Sequence, residues 1–403
     1  MRLKAVEMFT GMGGLALGLE LSGFEHLALI ELDKSSHQTL AANHPLWKAG
    51  NPADVTGYDY SKLPTGIDLL AGGPPCQPFS LGGKHGGQDD RRNMFPEVVR
   101  AQRNLRPKAV LVENVYGLLR PAFKPYFEYI LLQLRYPFME RRNNEAWEDH
   151  KARLIQQGGR QRRALSYHVF PQLINAADYG APQIRRRVII VGFRRDLGIE
   201  WTPPKASHSR MALEYAQKID GSYWRDHGLA GQRVYGANSV LAATDSLRWN
   251  TVRDALGHTM RDADGGFVYD KDLPEPADAK EHEPFLNHVG IPGARVYAGH
   301  TGNLQDRPAK AIKAGDHGCP GGEHVLVRED GSLRYFTVRE VCRLQGFPDS
   351  IHFTCSRTEA MRQLGNAVPV PVAKAFGGAV AQALLASSEG TALCQDLVAT
   401  LAQ

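Results

Sequence analysis

Short apolar runs, glycine turns and helical stretches alternate through the first half of the chain. Residues 4–9 read as a strand, Thr10-Gly11-Met12-Gly13-Gly14 as a glycine turn, and residues 15–22 as a helix closed by Gly23. A second strand over 24–30 carries Glu31 at its end, and a helix over 34–42 stops before Asn43-His44-Pro45. Residues 67–71 form an apolar run typical of a buried strand, 96–105 predict a helix, and 108–112 predict the next strand, with Glu113-Asn114-Val115 at its carboxyl end. This rhythm predicts an α/β fold, a doubly wound, mostly parallel sheet. Residues 116–157 read as mostly helical, with an irregular charged patch over 140–150, and 165–175 alternate as a strand. A turn over 177–182 leads through Gln183-Ile184-Arg185-Arg186-Arg187 into the β-branched run 188–193. Alternation puts Gln183, Arg185 and Arg187 on one face and Arg186 on the other.

After Arg195 the texture changes. Residues 201–303 have scattered Gly, Pro and Trp and no strand–helix rhythm, which predicts loops and short strands in a second unit. Regular structure resumes at Thr337-Val338-Arg339-Glu340, a capping box opening a short helix that ends near Gly346-Phe347-Pro348. Gly365-Asn366-Ala367-Val368-Pro369-Val370-Pro371 breaks the chain before an amphipathic helix over 372–387, expected to pack beside the first strand. The expected division is a larger domain of 1–198 and 362–403, interrupted by a smaller inserted domain of 199–361.

Composition narrows the class. At 403 residues, 42% hydrophobic and 23% charged, the chain has enough material for two or three globular domains. No apolar run is expected to reach the roughly 18 residues a membrane helix needs, and the start lacks a signal-peptide core. The cysteines, Cys76, Cys319, Cys342, Cys355 and Cys394, are scattered and never paired as Cys-x-x-Cys. That argues against a disulfide framework or structural zinc and for a reducing, cytoplasmic setting. The histidine-bearing glycine loops at 299–302 and 315–322 have no convincing metal-ligand spacing, so no metal is expected. Net charge is +5, unevenly spread: residues 151–195 hold ten Lys/Arg against Asp178 alone, whereas 261–283 hold eight acidic and three basic residues. The first segment is suited to phosphates, the second is not.

Gly72-Gly73-Pro74-Pro75-Cys76-Gln77-Pro78-Phe79-Ser80 carries the candidate chemistry. Glycines and prolines stop the preceding strand and present a thiol where an α/β sheet keeps its site, outside the carboxyl strand ends. Glu113 ends the next strand; taken alone it reads equally as a catalytic carboxyl or as a strand-end ion pair, with Arg185 as the expected partner. The first glycine turn lets backbone approach a ligand closely, and Glu31 is placed to accept both ribose hydroxyls of an adenosine. The turn is not the Gly-x-Gly-x-x-Gly of dinucleotide binders, and nothing cradles a diphosphate. Adenosine without pyrophosphate points to S-adenosylmethionine. Asp54 could meet an adenine amine or simply make a turn.

Taken in order, these blocks resemble the cytosine-C5 DNA methyltransferase family. Phe9-Thr10-Gly11-Met12-Gly13-Gly14 resembles its cofactor loop, Glu31 the ribose acid, Gly73 to Ser80 the catalytic block, Glu113-Asn114-Val115 the second catalytic block and Gln183-x-Arg185-x-Arg187 the arginine block. Arg339-Glu340-x-x-Arg343-x-Gln345-x-Phe347-Pro348 and Gly365-Asn366-Ala367-Val368-Pro369 resemble the closing blocks. One departure is Glu7, where the family usually has Asp. The resemblance implies a Rossmann-like methyltransferase fold with an inserted target-recognition domain, double-stranded DNA as substrate and S-adenosylmethionine as cofactor. It implies Cys76, Glu113, Arg185 and Arg187 as catalytic residues. Phe9, Gly11, Gly13, Gly14, Glu31, Asp54, Pro75 and Asn366 are implied around the cofactor. The loop after Cys76 is expected to close over a flipped cytosine, with Gln77, Ser80, Lys84 and Arg91 on DNA. With no long extension before the cofactor loop, the chain is expected to resemble bacterial or phage enzymes, acting as a monomer, either solitary or beside an independently acting restriction endonuclease. The alternatives are a tRNA cytosine-C5 methyltransferase, a non-catalytic DNA-binding relative, and an unrelated nucleotide-binding oxidoreductase.

Overall fold

The computed structural model describes residues 2–47, 49–75, 93–160, 164–229, 244–276, 284–291, 301–315 and 321–401, with side chains in the last helix described to Ser387. The chain opens with β1 (Leu3–Met8), α1 (Gly14–Leu21), β2 (Phe24–Ile30), α2 (Lys34–Asn43), β3 (Leu69–Gly72), α3 (Phe95–Leu105) and β4 (Ala109–Val115). Then come α4 (Lys124–Arg135), α5 (Trp147–Gln157), β5 (Tyr167–Asn175), β6 (Gln183–Ile184) and β7 (Arg186–Arg194). A six-stranded sheet runs β2-β1-β3-β4-β7-β5. Strands β1 to β4 are parallel, and their ends align: Met8 lies beside Ile30 and Gly72, and Gly72 beside Val112. β7 is antiparallel to β4, and β5 to β7. This reversal has a consequence for the site. It brings the start of β7, with Arg187 opposite Val115, to the edge where β1 to β4 end.

Period-two alternation divides the sheet's side chains between two cores. Val6, Met8, Leu70, Val110, Val112 and Ile190 pack on α3 and α4 through Phe95, Val98, Val99, Phe127 and Ile130. Ala5, Leu69, Ala71, Leu111, Ile189 and Val191 face Leu15 and Leu19 of α1 and Val372, Phe376 and Val380 of the last helix. That helix does return beside the first strand. It lies so close to α1 that a Cβ on Gly18 would fall 2.3 Å from that of Ala373.

The segment after β7 departs from expectation. Where loops and short strands were expected, the chain forms β8 (His208–Ser209), α6 (Arg210–Lys218), α7 (Ser222–Asp226), β9 (Leu247–Arg248) and α8 (Val252–Leu256). Ser209 caps α6 by accepting from the Ala212 amide, and a Thr251–Asp254 capping box opens α8. These signals span four residues each and are lost in mixed polarity. Strands β10 (Asn303–Leu304), β11 (Ala309–Lys310), β12 (Val325–Val327) and β13 (Leu333–Tyr335) follow, then α9 (Val338–Leu344), α10 (Arg357–Asn366) and α11 (Val370–Leu401). The capping box expected at Thr337–Glu340 is present. β11 pairs with β6.

Two buried arginines of α9 fasten irregular chain to this frame. Arg343 donates to the carbonyls of Gly257 and Lys271, both at 2.9 Å, and forms an ion pair with Asp349 at 2.6 Å. Arg339 donates from Nε to the Leu286 carbonyl at 3.0 Å.

One expectation needs correction. Residues 357–387 are long and apolar enough to cross a membrane by length and composition. Proline and glycine at 365–371 obscured that run. Its apolar positions Leu364, Phe376 and Val380 are fully buried against the protein. The basic run 151–195 also differs from the open phosphate-facing patch its composition suggested. Lys151, Arg153 and Arg194 pair with Glu128, Glu145 and Asp196. Arg186 remains exposed, over the ring of Tyr116.

Candidate active site

A cavity of about 860 Å³ opens at the carboxyl edge of β1 to β4. The first glycine turn forms one wall. Phe9 adopts φ 57°, a left-handed conformation costly for a residue with a Cβ, and backbone strain of this kind concentrates at functional sites. Gly14 starts α1 against Val368; a Cβ there would fall 2.4 Å from the Val368 carbonyl oxygen, so this contact requires glycine. Glu31 stands at the end of β2. Its Oε2 accepts from the Gly11 amide at 2.6 Å and its Oε1 from the Asp33 amide at 2.7 Å, which fixes the carboxylate at the cavity wall.

Of the residues expected around the cofactor, Phe9, Gly11, Glu31, Asp54, Pro75 and Asn366 line this cavity. Gly13 and Gly14 do not. They lie behind it, Gly13 packed toward Leu40 and Trp47 and Gly14 toward Val368. Asp54 makes the expected turn, accepting from the Thr56 amide at 2.9 Å, and it lines the cavity. Asn366, the last residue of α10, is exposed toward the same space.

Glu113 and Arg187 meet at the other side. Arg187 Nε lies 2.8 Å from Glu113 Oε1, and both side chains are largely buried. The pairing follows from the antiparallel register: Glu113 is opposite Ile189, so Arg187 is its diagonal neighbour on one face. The ion-pair partner is thus Arg187, not Arg185 as expected. Arg185 is 2% exposed and grips backbone, with Nη1 on the Ile312 carbonyl at 2.7 Å and Nη2 on those of Gly365 at 2.8 Å and Ala367 at 3.1 Å. It also borders the cavity, from which it braces the α10–α11 junction. Gln183 does similar work, donating to the Leu344 carbonyl at 2.7 Å. Asn114 donates to the Pro74 carbonyl at 3.1 Å, tying the turn after β3 to the end of β4. Cys76, Gln77, Ser80, Lys84 and Arg91, with the glycine-rich stretch 81–87, lie outside the described residues; the chain is described to Pro75.

Replacing Arg185 with alanine is expected to strand buried carbonyls on two segments. Each such loss costs about 1–3 kcal/mol, so chemical denaturation should report a loss of about 3 kcal/mol or more. A change below about 1 kcal/mol would remove the brace.

Sequence reading passed over part of the wall. Arg362 of α10 pairs with Asp33 at 2.8 Å and Gln363 Nε2 donates to Ser35 Oγ at 3.1 Å, closing the cavity between α2 and α10. Their signal was position alone, next to Glu31 in one case and Gly365-Asn366 in the other. Glu7 and Thr10 also line the cavity, and each has a buried oxygen (Oε2, Oγ1) without a hydrogen-bond partner among the described residues. Size, backbone access at Gly11, an anchored acid and orphaned polar atoms suit a nucleoside with a polar tail.

Residues 3–136 and 143–382 match the family model described as C-5 cytosine-specific DNA methylase. The type II methyltransferase M.NgoMIV of Neisseria gonorrhoeae is 31% identical over 390 residues, covering 95% of this chain and 99% of its own. M.PspPI of Psychrobacter sp. (strain TA137), also a type II methyltransferase, is 31% identical over 387 residues, covering 95% and 80%. Among solved structures, the S. pombe Dnmt2 methyltransferase is similar with a TM-score of 0.52 at 19% identity, covering 96% of this chain and 98% of its own.

Proposed function

Because the chain belongs to the C-5 cytosine-specific DNA methylase family, we propose that its catalytic group is the Cys76 thiol, assisted by Glu113 and Arg187. The enzyme is a DNA (cytosine-5-)-methyltransferase, and S-adenosylmethionine is its cofactor. When bound, the cofactor supplies an electrophilic methyl group. Everything else falls to the protein. C5 of cytosine is a weak nucleophile until a sulfur–carbon bond forms at C6, which moves the C5–C6 π pair toward C5 and the ring. Cys76 makes that bond. Glu113 supplies a proton at N3 as charge develops, and Arg187 stabilises the same charge at O2. The activated C5 takes the methyl group. Loss of the C5 proton to a base and of the N3 proton to Glu113 then restores the double bond and expels the thiolate.

The observation that carries this reading is the Glu113–Arg187 pair at the edge of the cavity that Glu31 also walls, with Gly73 beside the pair: a Cβ there would lie 3.4 Å from Glu113 Oε2. Arg185 acts by holding Gly365 and Ala367, hence Asn366, at the cavity. Phe9, Gly11, Glu31, Asp54, Pro75 and Asn366 contact the cofactor, while Gly13 and Gly14 shape the turn. The target base must leave the stack, at a cost of a few kcal/mol. The loop after Cys76 grips the strand through Gln77, Ser80, Lys84 and Arg91.

The catalytic domain is 1–198 with 362–403, and 199–361 is the target-recognition domain, its short irregular elements offering loops to the major groove. The enzyme acts in the cytoplasm as a monomer. The type II relatives support a role in host-DNA protection beside an independently acting endonuclease. Duplex DNA carrying 5-fluorocytosine at methylated positions, first located by bisulfite sequencing, tests the chemistry. Fluorine cannot leave as a proton does, so a stable adduct through Cys76 is expected by mass spectrometry. Methylation of ordinary DNA with no adduct on the fluorinated duplex would refute the covalent route.

A further inference from the structure

Arg186 has no task in the chemistry above. Gln183 and Arg185 brace backbone, and Arg187 pairs with Glu113. Arg186 stands opposite Asn175 of β5, one step beyond the Val115–Arg187 pair of β4 and β7. Alternation turns it to the other face of the sheet from Arg187, the side on which Val188 and Ile190 join the core under α3 and α4. The chain that follows the loop after Cys76 comes back on that same side, with Met94 packed against that core.

Other cations in this half of the chain are matched: Lys108 by Asp68, Lys151 by Glu128, Arg153 by Glu145 and Arg194 by Asp196. Arg186 is exposed and, among the described residues, has no carboxylate in ion-pair reach. Glu113, the acid at this strand end, is already answered by Arg187. What the Arg186 guanidinium meets is the ring of Tyr116, its carbon 5.8 Å from the ring centroid, and Tyr116 is itself 43% exposed. The ring restricts a long side chain without neutralising it, which lowers the entropy lost when the guanidinium takes an anion. The Arg186 carbonyl also accepts from Arg187 Nη1 at 2.8 Å, so the backbone carrying one arginine anchors the other.

A duplex that delivers a cytosine to Glu113 and Arg187 must lay its backbone along this edge. A planar guanidinium suits a phosphate, whose oxygens accept two parallel N–H donors. We propose that Arg186, steadied by Tyr116, grips a backbone phosphate flanking the target cytosine and fixes the strand while the base swings out. The inference rests on the cavity edge being the reaction centre and adds to it a contact on the opposite face of the sheet. Base and backbone are then held by adjacent residues, Arg187 and Arg186. No covalent bond forms or breaks; condensed cations leave the duplex as the ion pair forms.

Gel retardation of a duplex bearing the methylated site, with the full-length enzyme at several salt concentrations, makes the test. At about 0.1 M salt Arg186→Ala should weaken binding by about tenfold and lower the slope of log affinity against log salt by about one. Arg186→Lys, which keeps the charge, should keep the slope. Tyr116→Ala should lose part of the affinity, and Tyr116→Phe, which keeps the ring, should not. Arg195→Ala removes an exposed arginine at the far end of β7 and should stay within about twofold of wild type. Exchanging the flanking phosphates one at a time for uncharged methylphosphonates identifies the partner. At one position the exchange should cost wild type about tenfold and Arg186→Ala almost nothing. Affinity for S-adenosylmethionine, expected at the wild-type level in every variant, checks the fold. The proposal is overturned if Arg186→Ala binds the duplex as wild type does, if Arg195→Ala loses as much, or if no methylphosphonate spares Arg186→Ala what it costs wild type. Failure of wild type to retain or methylate duplex DNA would instead fell the substrate reading, and the proposal with it.

Discussion

Cys76→Ala is expected to reduce methyl transfer roughly 10⁵-fold or more while duplex DNA is still retained. Losses on this scale follow removal of a covalent nucleophile, because the remaining groups orient a ring that stays unreactive. No other described thiol can substitute. Cys342 is fully buried within α9, and burial pushes its thiol up to about 12. The Cys355 thiol is raised by burial as well. Neither lines the cavity. Single-turnover transfer of a labelled methyl group, with gel retardation on the same preparation, makes the measurement. Turnover within about tenfold of wild type would exclude Cys76 as the nucleophile.

Glu113→Gln is expected to lower the rate of the methyl-transfer step by about 10²–10⁴-fold, the usual contribution of a positioned proton donor. Glutamine keeps the shape and can still accept from Arg187, so the fold and cofactor affinity should change little. What it loses is the exchangeable proton for N3. The discriminating readout is the single-turnover rate set beside cofactor affinity: the first should fall while the second holds. Glu113→Asp should recover part of the rate, limited by the 2.8 Å contact that a shorter arm cannot keep. A rate within about threefold of wild type in Glu113→Gln would make the residue a partner of Arg187 and nothing more.

Local chemistry was legible in the chain; distant partners were not. The Thr337–Glu340 capping box is written in four consecutive residues and forms as read. Glu31 is recognisable because a strand ends beside it, and the alternation of Gln183, Arg185 and Arg187 follows from the period of a strand. That same alternation is silent on what each arginine touches. Arg185 reaches Ile312 and Gly365, 127 and 180 residues away, and only the folded path of the chain brings them together. The partner of Glu113 depended on β7 running against β4, a choice that apolar β-branched sequence leaves open. Helices α6 to α8 escaped notice because they are short and held by caps at α6 and α8 and a few buried contacts, such as Arg248 with Asp254 at 2.7 Å, rather than by a long apolar stripe.

The grips of Arg343 and Arg339 fall on main-chain oxygens, at Gly257, Lys271 and Leu286. Every amino acid offers that oxygen. A strap tied in this way tolerates rewriting at the tied positions, while Tyr269 and Phe285 between them also pack their rings on Arg343. Substitution at Lys271 or Leu286 is therefore cheap for the scaffold, whereas loss of Tyr269, whose hydroxyl donates to the Arg343 and Phe347 carbonyls, is not.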